Sequence, residues 1–252
     1  MTVLGFILAL VIGLSLGLLG GGGSILTVPV LVYVLQYGMK QAVPMSLVVV
    51  GVTSLFGAVS HHRLSNVRWN AALTFGPAAI VGAVVGARLV APHVSSRVQL
   101  ILFAILMLVA AVSMFFGPAL WGGKGVEETT RPRRSLVGTA VLGGMVGFLT
   151  GFIGVGGGFL YVPALVLMGG LAMKEAVGTS LVLIIMSCIA GFISYLGMVT
   201  IDWGATGLFT LLAIVGVLAG SRLGTRVSHA DLRRGFAALL VVMGIVVLLK
   251  PR

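Results

Sequence analysis

The chain has 252 residues, 59% of them hydrophobic and only 8% charged, with a mean hydropathy of +1.20. A soluble domain carries about a quarter charged residues, so this composition excludes a soluble globular protein and calls for a bilayer. The net charge of +11 does not argue for nucleic acid. The basic residues flank apolar runs, where membrane orientation needs them, and no basic cluster is longer than Arg131-Pro132-Arg133-Arg134.

Taken in chain order, the first apolar segment covers 3–37. Its opening run, Val3–Leu19, has no basic n-region and no A-x-A-like cleavage site, and it recurs in the second half; it reads as structure, not as a signal peptide. As one helix the segment would run about 50 Å, too long for one crossing. The cluster Gly20-Gly21-Gly22-Gly23-Ser24 breaks it, with Pro29 downstream. Segment 42–61 carries Ser46, Thr53, Ser54 and Ser60 and ends at His61-His62. Segment 70–90 follows Trp69 and ends in G-A-V-V-G-A-R-L with Arg88, and segment 98–116 closes the first half.

Residues 117–134 (GPALWGGKGVEETTRPRR) are polar, Gly- and Pro-rich and charged, and read as a linker. Segments 135–169, 176–196, 204–223 and 232–249 follow. The first holds Gly154-Val155-Gly156-Gly157-Gly158 with Pro163 beyond it, the second Thr179, Ser180, Ser187 and Ser194, and the third Trp203, Gly216, Gly220 and Arg222. The organisation expected is a first membrane repeat over 1–116, a linker over 117–134 and a second repeat over 135–252.

Sliding the chain by 134 positions aligns 17–112 with 151–246 without a gap, and about thirty of the 96 pairs are identical. They include Pro29/Pro163, Lys40/Lys174, Ser46/Ser180, Trp69/Trp203 and Arg88/Arg222. Shared apolar composition would not align rare Pro, Lys, Trp and Arg. The fold class expected is therefore an all-α, polytopic transmembrane bundle of two homologous four-segment repeats, the first segment of each broken at glycine. Lys and Arg divide eight to eight if every segment crosses once, and eleven to five if segments 1 and 5 dip in and return. The positive-inside rule favours the second path, which makes the repeats inverted and the linker cytoplasmic.

Paired discontinuous helices at a repeat interface point to a transporter binding site. The N–H groups at a helix start carry partial positive charge and bind anions. The backbone around Gly22, Gly23, Ser24, Gly156, Gly157 and Gly158 is the expected substrate contact, with the hydroxyls of Ser46, Thr179 and Ser180 beside it. Tight packing is the competing reading for the glycines, and bonding back to the helix is the competing reading for the hydroxyls. Arg88 and Arg222 suit snorkelling to the interface and, in the functional reading, an electrostatic vestibule. Trp69 and Trp203 read as interfacial belt residues.

The acids are Glu127, Glu128, Glu175, Asp202 and Asp231, all in or beside loops. Cation transport is therefore disfavoured, and proton coupling through a buried carboxylate is excluded. His61-His62 could titrate near neutral pH, but the matched positions hold Tyr195 and Leu196, so the repeat lends a proton role no support. There is no Walker A sequence and no H-E-x-x-H, and the single Cys188 excludes a multi-cysteine centre; neither a cofactor nor a metal is expected. No paired acids or activated nucleophile suggest an enzyme.

The two G-x-x-G-x-G-G-G-like clusters, each followed by V-P, then K-x-A-V-x-x-S and G-x-R-L, resemble the sulfite exporter TauE/SafE family. The resemblance covers nearly the whole chain. It implies a multi-pass permease of the inner (cytoplasmic) membrane that carries sulfite, an organosulfonate or a related small anion, without organic cofactor. Pro44-Met45 against Gly178-Thr179 departs from strict symmetry. A passive anion channel is the alternative. The partners expected are a small anion and the bilayer; a homodimer is compatible with the sequence, which specifies no oligomeric state.

Overall fold

Glycine decides the first event in folding. Helix α1 (Thr2–Leu19) ends at Gly20, whose φ of +75° lies in the left-handed region that side chains resist. The chain reverses there, and α2 (Gly22–Pro29) runs back along α1. A Cβ on Gly23 would lie 2.7 Å from the Ile12 carbonyl oxygen, and one on Gly5 would lie 2.7 Å from Leu35 Cδ2. Segment 1 is thus a helical hairpin whose two ends meet on one side. This computed structural model describes residues 2–86, 88, 94, 96–120, 136–153, 158–193 and 200–249.

Pro29 shapes the returning arm. Proline has no N–H and crowds the preceding turn; the chain answers with a π-helical turn over Val30–Val34, closed by Leu35 N–H donating to the Val30 carbonyl at 3.1 Å. The same device follows Pro163. Helix α6 (Leu136–Ile153) leads to α7 (Gly158–Pro163), then to a π turn over Ala164–Met168, closed by Gly169 N–H on the Ala164 carbonyl at 2.8 Å. Gln36 and Gly170, the residues that end the two arms, share a left-handed φ of 62° and 70°.

The remaining helices are α3 (Met39–Arg63), α4 (Trp69–Val85), α5 (Ser96–Leu120), α8 (Met173–Ile193), α9 (Trp203–Arg226) and α10 (His229–Leu249). No strand occurs among the described residues. Helix α5 continues to Leu120, so helix covers the start of the stretch expected to be linker; 121–134 lie outside the described residues. Lys40–Arg63, Met173–Ile193 and Trp203–Arg226 are long and apolar enough to cross a membrane, and six shorter apolar helices accompany them. Leu73, Val81, Val137, Leu211 and Ile193 stand more than half exposed on the outside. Water would not tolerate such a belt, whereas lipid requires it.

Small residues carry the helix packing, as expected where no hydrophobic force acts between helices. Helix α1 lies parallel to α9, with Gly13 against the Ala213 backbone and Gly216 against Leu10 and Leu14. Helix α6 lies parallel to α4 in the same manner, with Gly147 against the Ala79 backbone and Gly82 against Gly144 and Phe148. Helices α3 and α8 run antiparallel through the centre: Leu47 meets Gly191, Gly51 meets Cys188 and Leu181 meets Gly57. The core around them is mainly aliphatic, with Phe75 of α4 edge-on to Tyr161 of α7 at a ring-centroid distance of 5.7 Å.

Candidate anion-binding site

The returning arm Gly22–Val34 and the stretch Gly158–Met168 start against one another inside the bundle. A Cβ on Gly21 would strike the Gly158 carbonyl and lie 2.7 Å from Phe159 Cα. One on Gly158 would lie 2.7 Å from Ser24 Oγ, and one on Gly20 would lie 2.5 Å from Ser180 Oγ. Only glycine lets the two tips approach so closely. The starts of the two stretches, where a helix carries the positive end of its dipole, thus lie against one another.

Of the residues expected at the site, Ser24, Gly158 and Ser180 are brought together here. Gly20 and Gly21, which the sequence reading placed in the break rather than among the contacts, make the closest approaches. Gly22 faces Leu239 of α10 and Gly23 faces α1, so their Cα faces serve packing. Gly156 and Gly157 lie outside the described residues. Thr179 is turned elsewhere: its Oγ1 accepts the Arg68 backbone N–H at 3.0 Å. Ser46 is buried on α3 and donates to the Val43 carbonyl at 2.7 Å.

The tip hydroxyls also bond back to their own helices, Ser24 to the Gly21 carbonyl at 2.7 Å and Ser180 to the Val177 carbonyl at 2.8 Å. Redirecting such a donor costs about 1 kcal/mol, a modest sum against the stabilisation of a buried anion. Ser54, mid-way along α3 and fully buried, has no hydrogen-bond partner for its Oγ. Only the packed structure singles it out. Arg88 and Arg222 are exposed, as an interfacial role requires. Trp69 and Trp203 are exposed too, Trp69 with its Nε1 on His62 Nδ1 at 3.3 Å.

Each end of the bundle carries a charged link between the halves, at positions 134 apart in Arg68 and Asp202. At one end the Arg68 guanidinium is paired with Glu175 of α8, which holds it further into its charged form. At the other, Tyr37 donates its hydroxyl to Asp202 at 2.7 Å while Asp202 caps α9 by accepting from Ala205 N–H at 3.0 Å. The capping bond, then Tyr37, hold the Asp202 carboxyl below its ordinary 3.8; burial, then Asp202, push the Tyr37 phenol up to about 12.

The depressed acid stabilises fully above its ordinary value and fails as pH falls through its lower folded one; the raised phenol stabilises fully below 10.0 and fails as pH rises through about 12. The Tm difference between wild type and Tyr37→Phe in detergent is therefore expected to be flat from about pH 5 to about pH 9 and to shrink in stronger acid. A difference that grows as the pH drops would contradict the link.

The family model described as Sulfite exporter TauE/SafE matches residues 5–247. The chain belongs to the TauE/SafE family. It is 30% identical over 240 residues to a probable membrane transporter protein of Xylella fastidiosa (strain 9a5c), covering 94% of this chain and 91% of that one. A probable membrane transporter protein of Methanocaldococcus jannaschii is 28% identical, with 96% and 95% covered. The probable membrane transporter protein YunE of Bacillus subtilis is 27% identical, with 97% and 95% covered. No solved structure matches the chain. Family and apolar helices together make this an integral membrane protein of a transporter family.

Proposed function

We propose that this TauE/SafE protein is a secondary carrier of a small anion, sulfite, an organosulfonate or a related oxyanion, in the inner (cytoplasmic) membrane. The observation that carries the reading is the head-to-head approach of the two helix starts at Gly21 and Gly158, with Ser24 and Ser180 beside them. An anion away from water is costly without partners, and no Lys, Arg, Asp or Glu lies in this volume among the described residues. Helix-start N–H groups and hydroxyls are the donors available.

The reading includes two inverted repeats. Matched contacts support it: Gly13–Ala213 corresponds to Gly147–Ala79, and Gly216–Leu10 to Gly82–Gly144, each shifted by 134. The equivalent helices α3 and α8 run antiparallel, as halves related by an axis in the membrane plane must. Inverted halves give alternating access a simple basis, one hairpin rocking against the other around a fixed site.

The test is flux into proteoliposomes of a panel containing sulfite, methanesulfonate, taurine and chloride. Saturable uptake of one sulfur oxyanion, blocked by unlabelled excess, is expected. Linear, unsaturated flux of chloride and sulfite alike would mean a passive channel. Movement of none of the panel would remove the anion reading.

A further inference from the structure

At the end of the bundle where α3 and α9 finish and α8 begins, a small cavity is lined by Leu18, His61, Asn66, Lys174, Ser221 and Thr225 among others. Its volume of about 10 Å³ suits a single water molecule, and is too small for an oxyanion. His61 is 4% exposed. Its Nε2 lies 3.0 Å from the Gly17 carbonyl oxygen. A carbonyl only accepts, so Nε2 carries the proton, and in the neutral ring Nδ1 is left as a bare lone pair. That nitrogen is buried and has no hydrogen-bond partner among the described residues. His61 lines the water-sized cavity and keeps one ring nitrogen unpaired, unlike a core histidine satisfied on both sides.

The surroundings decide what protonation would do. From α8, Lys174 faces the cavity, its Nζ donating to the Thr225 carbonyl at 3.1 Å, while Glu175 is turned to Arg68. From α9, Ser221 and Thr225 face it, and Arg222 and Arg226 are exposed. From α10, Leu232 faces it; Asp231 is engaged by Ser228 at 2.7 Å and lies 3.9 Å from Arg234. From α1 come Leu18 and the Gly17 carbonyl, and on α3 itself His62 is bonded by Trp69 and Arg63 is exposed. No carboxylate faces the cavity among the described residues. A second positive charge beside Lys174 thus lacks a fixed counter-ion.

A mobile counter-ion has its place one helical turn away. Val177 lines the cavity and accepts the Ser180 hydroxyl, while Gly20 at the hairpin tip lies against both residues. Gly17, which holds the ring, is three residues before that tip. We infer that His61 is the proton acceptor that couples anion binding at the hairpin tips to the proton gradient. The proton adds to the Nδ1 lone pair from the water side and leaves by the same pair, with no other bond changed. Imidazolium favours the anion, and by reciprocity the anion favours imidazolium, so the two are taken up together. The inference rests on the anion-carrier reading above.

The test uses methanesulfonate, whose own charge does not change near neutral pH, in proteoliposomes with and without a pH gradient. Wild-type flux is expected to rise about tenfold with a gradient acid on the uptake side. His61→Gln keeps a donor for the Gly17 carbonyl but cannot titrate; its flux is expected to stay at the wild-type high-pH level at every pH. Imidazole ¹⁵N resonances of the wild type in detergent supply a second measurement. His61 Nδ1 is expected to titrate, and to do so at higher pH when methanesulfonate is added. Wild-type flux indifferent to the gradient, a Gln variant that keeps the response, or a His61 resonance that does not titrate would each overturn the His61 assignment and leave the carrier reading standing. Wild-type protein that moves neither methanesulfonate nor sulfite at equal pH would remove the carrier reading instead.

Discussion

Gly21→Leu is expected to abolish anion flux, by at least about a hundredfold, in protein that still inserts and elutes as a single species. The reason is local. A Cβ at this position meets backbone, the Gly158 carbonyl and Phe159 Cα, and backbone within the opposing arm cannot rotate away as a flexible side chain can. The two arms must separate, and donors displaced by about 1 Å lose most of their effect on a bound ion. Gly22→Leu meets only Leu239 Cδ2 at 2.6 Å, the far end of a flexible chain, and should cost much less. Gly38 has nothing within 4 Å of where a Cβ would stand, and Gly38→Ala supplies the control. Radiotracer uptake per folded protein reads the result. Equal activity for Gly21→Leu and Gly38→Ala would move the site away from the hairpin tips.

The second large effect concerns stability. Gly13→Leu and Gly147→Leu are expected to destabilise the protein by about 3 kcal/mol each, and by nearly the same amount. Gly13 sits against the Ala213 backbone and Gly147 against the Ala79 backbone, so a side chain at either forces a helix pair apart along its length. The equality is the informative part, because the two sites are 134 positions apart, the offset of the proposed repeat. Gly207, exposed on α9 with open space around it, should tolerate Leu within about 0.5 kcal/mol. Thermal unfolding in a fixed detergent compares the three. A large loss at Gly13 with little at Gly147 would mean that the halves do not pack alike.

Membrane class, the helical character, the first glycine break and the family were legible in the chain itself. Hydropathy needs no partner to be read, since each apolar run must meet lipid wherever it lies. Gly20-Gly21 breaks a helix by its own backbone freedom, and Pro29 and Pro163 force a local π turn through a missing N–H; these are properties of a few adjacent residues. What only the tertiary structure decided is which groups face one another. Nothing local distinguishes Ser24 and Ser180, which meet the opposing tip, from Thr179, which turns to Arg68. Nor does anything local show that Gly22 and Gly23 serve packing while Gly20 and Gly21 make the close approach. His61 had no counterpart in the second half and so lost weight in the sequence; burial against Gly17, which lies 44 residues away, is what leaves its second nitrogen unpaired. Contacts between distant segments arise from packing geometry, and a chain read one residue at a time carries no distance between them.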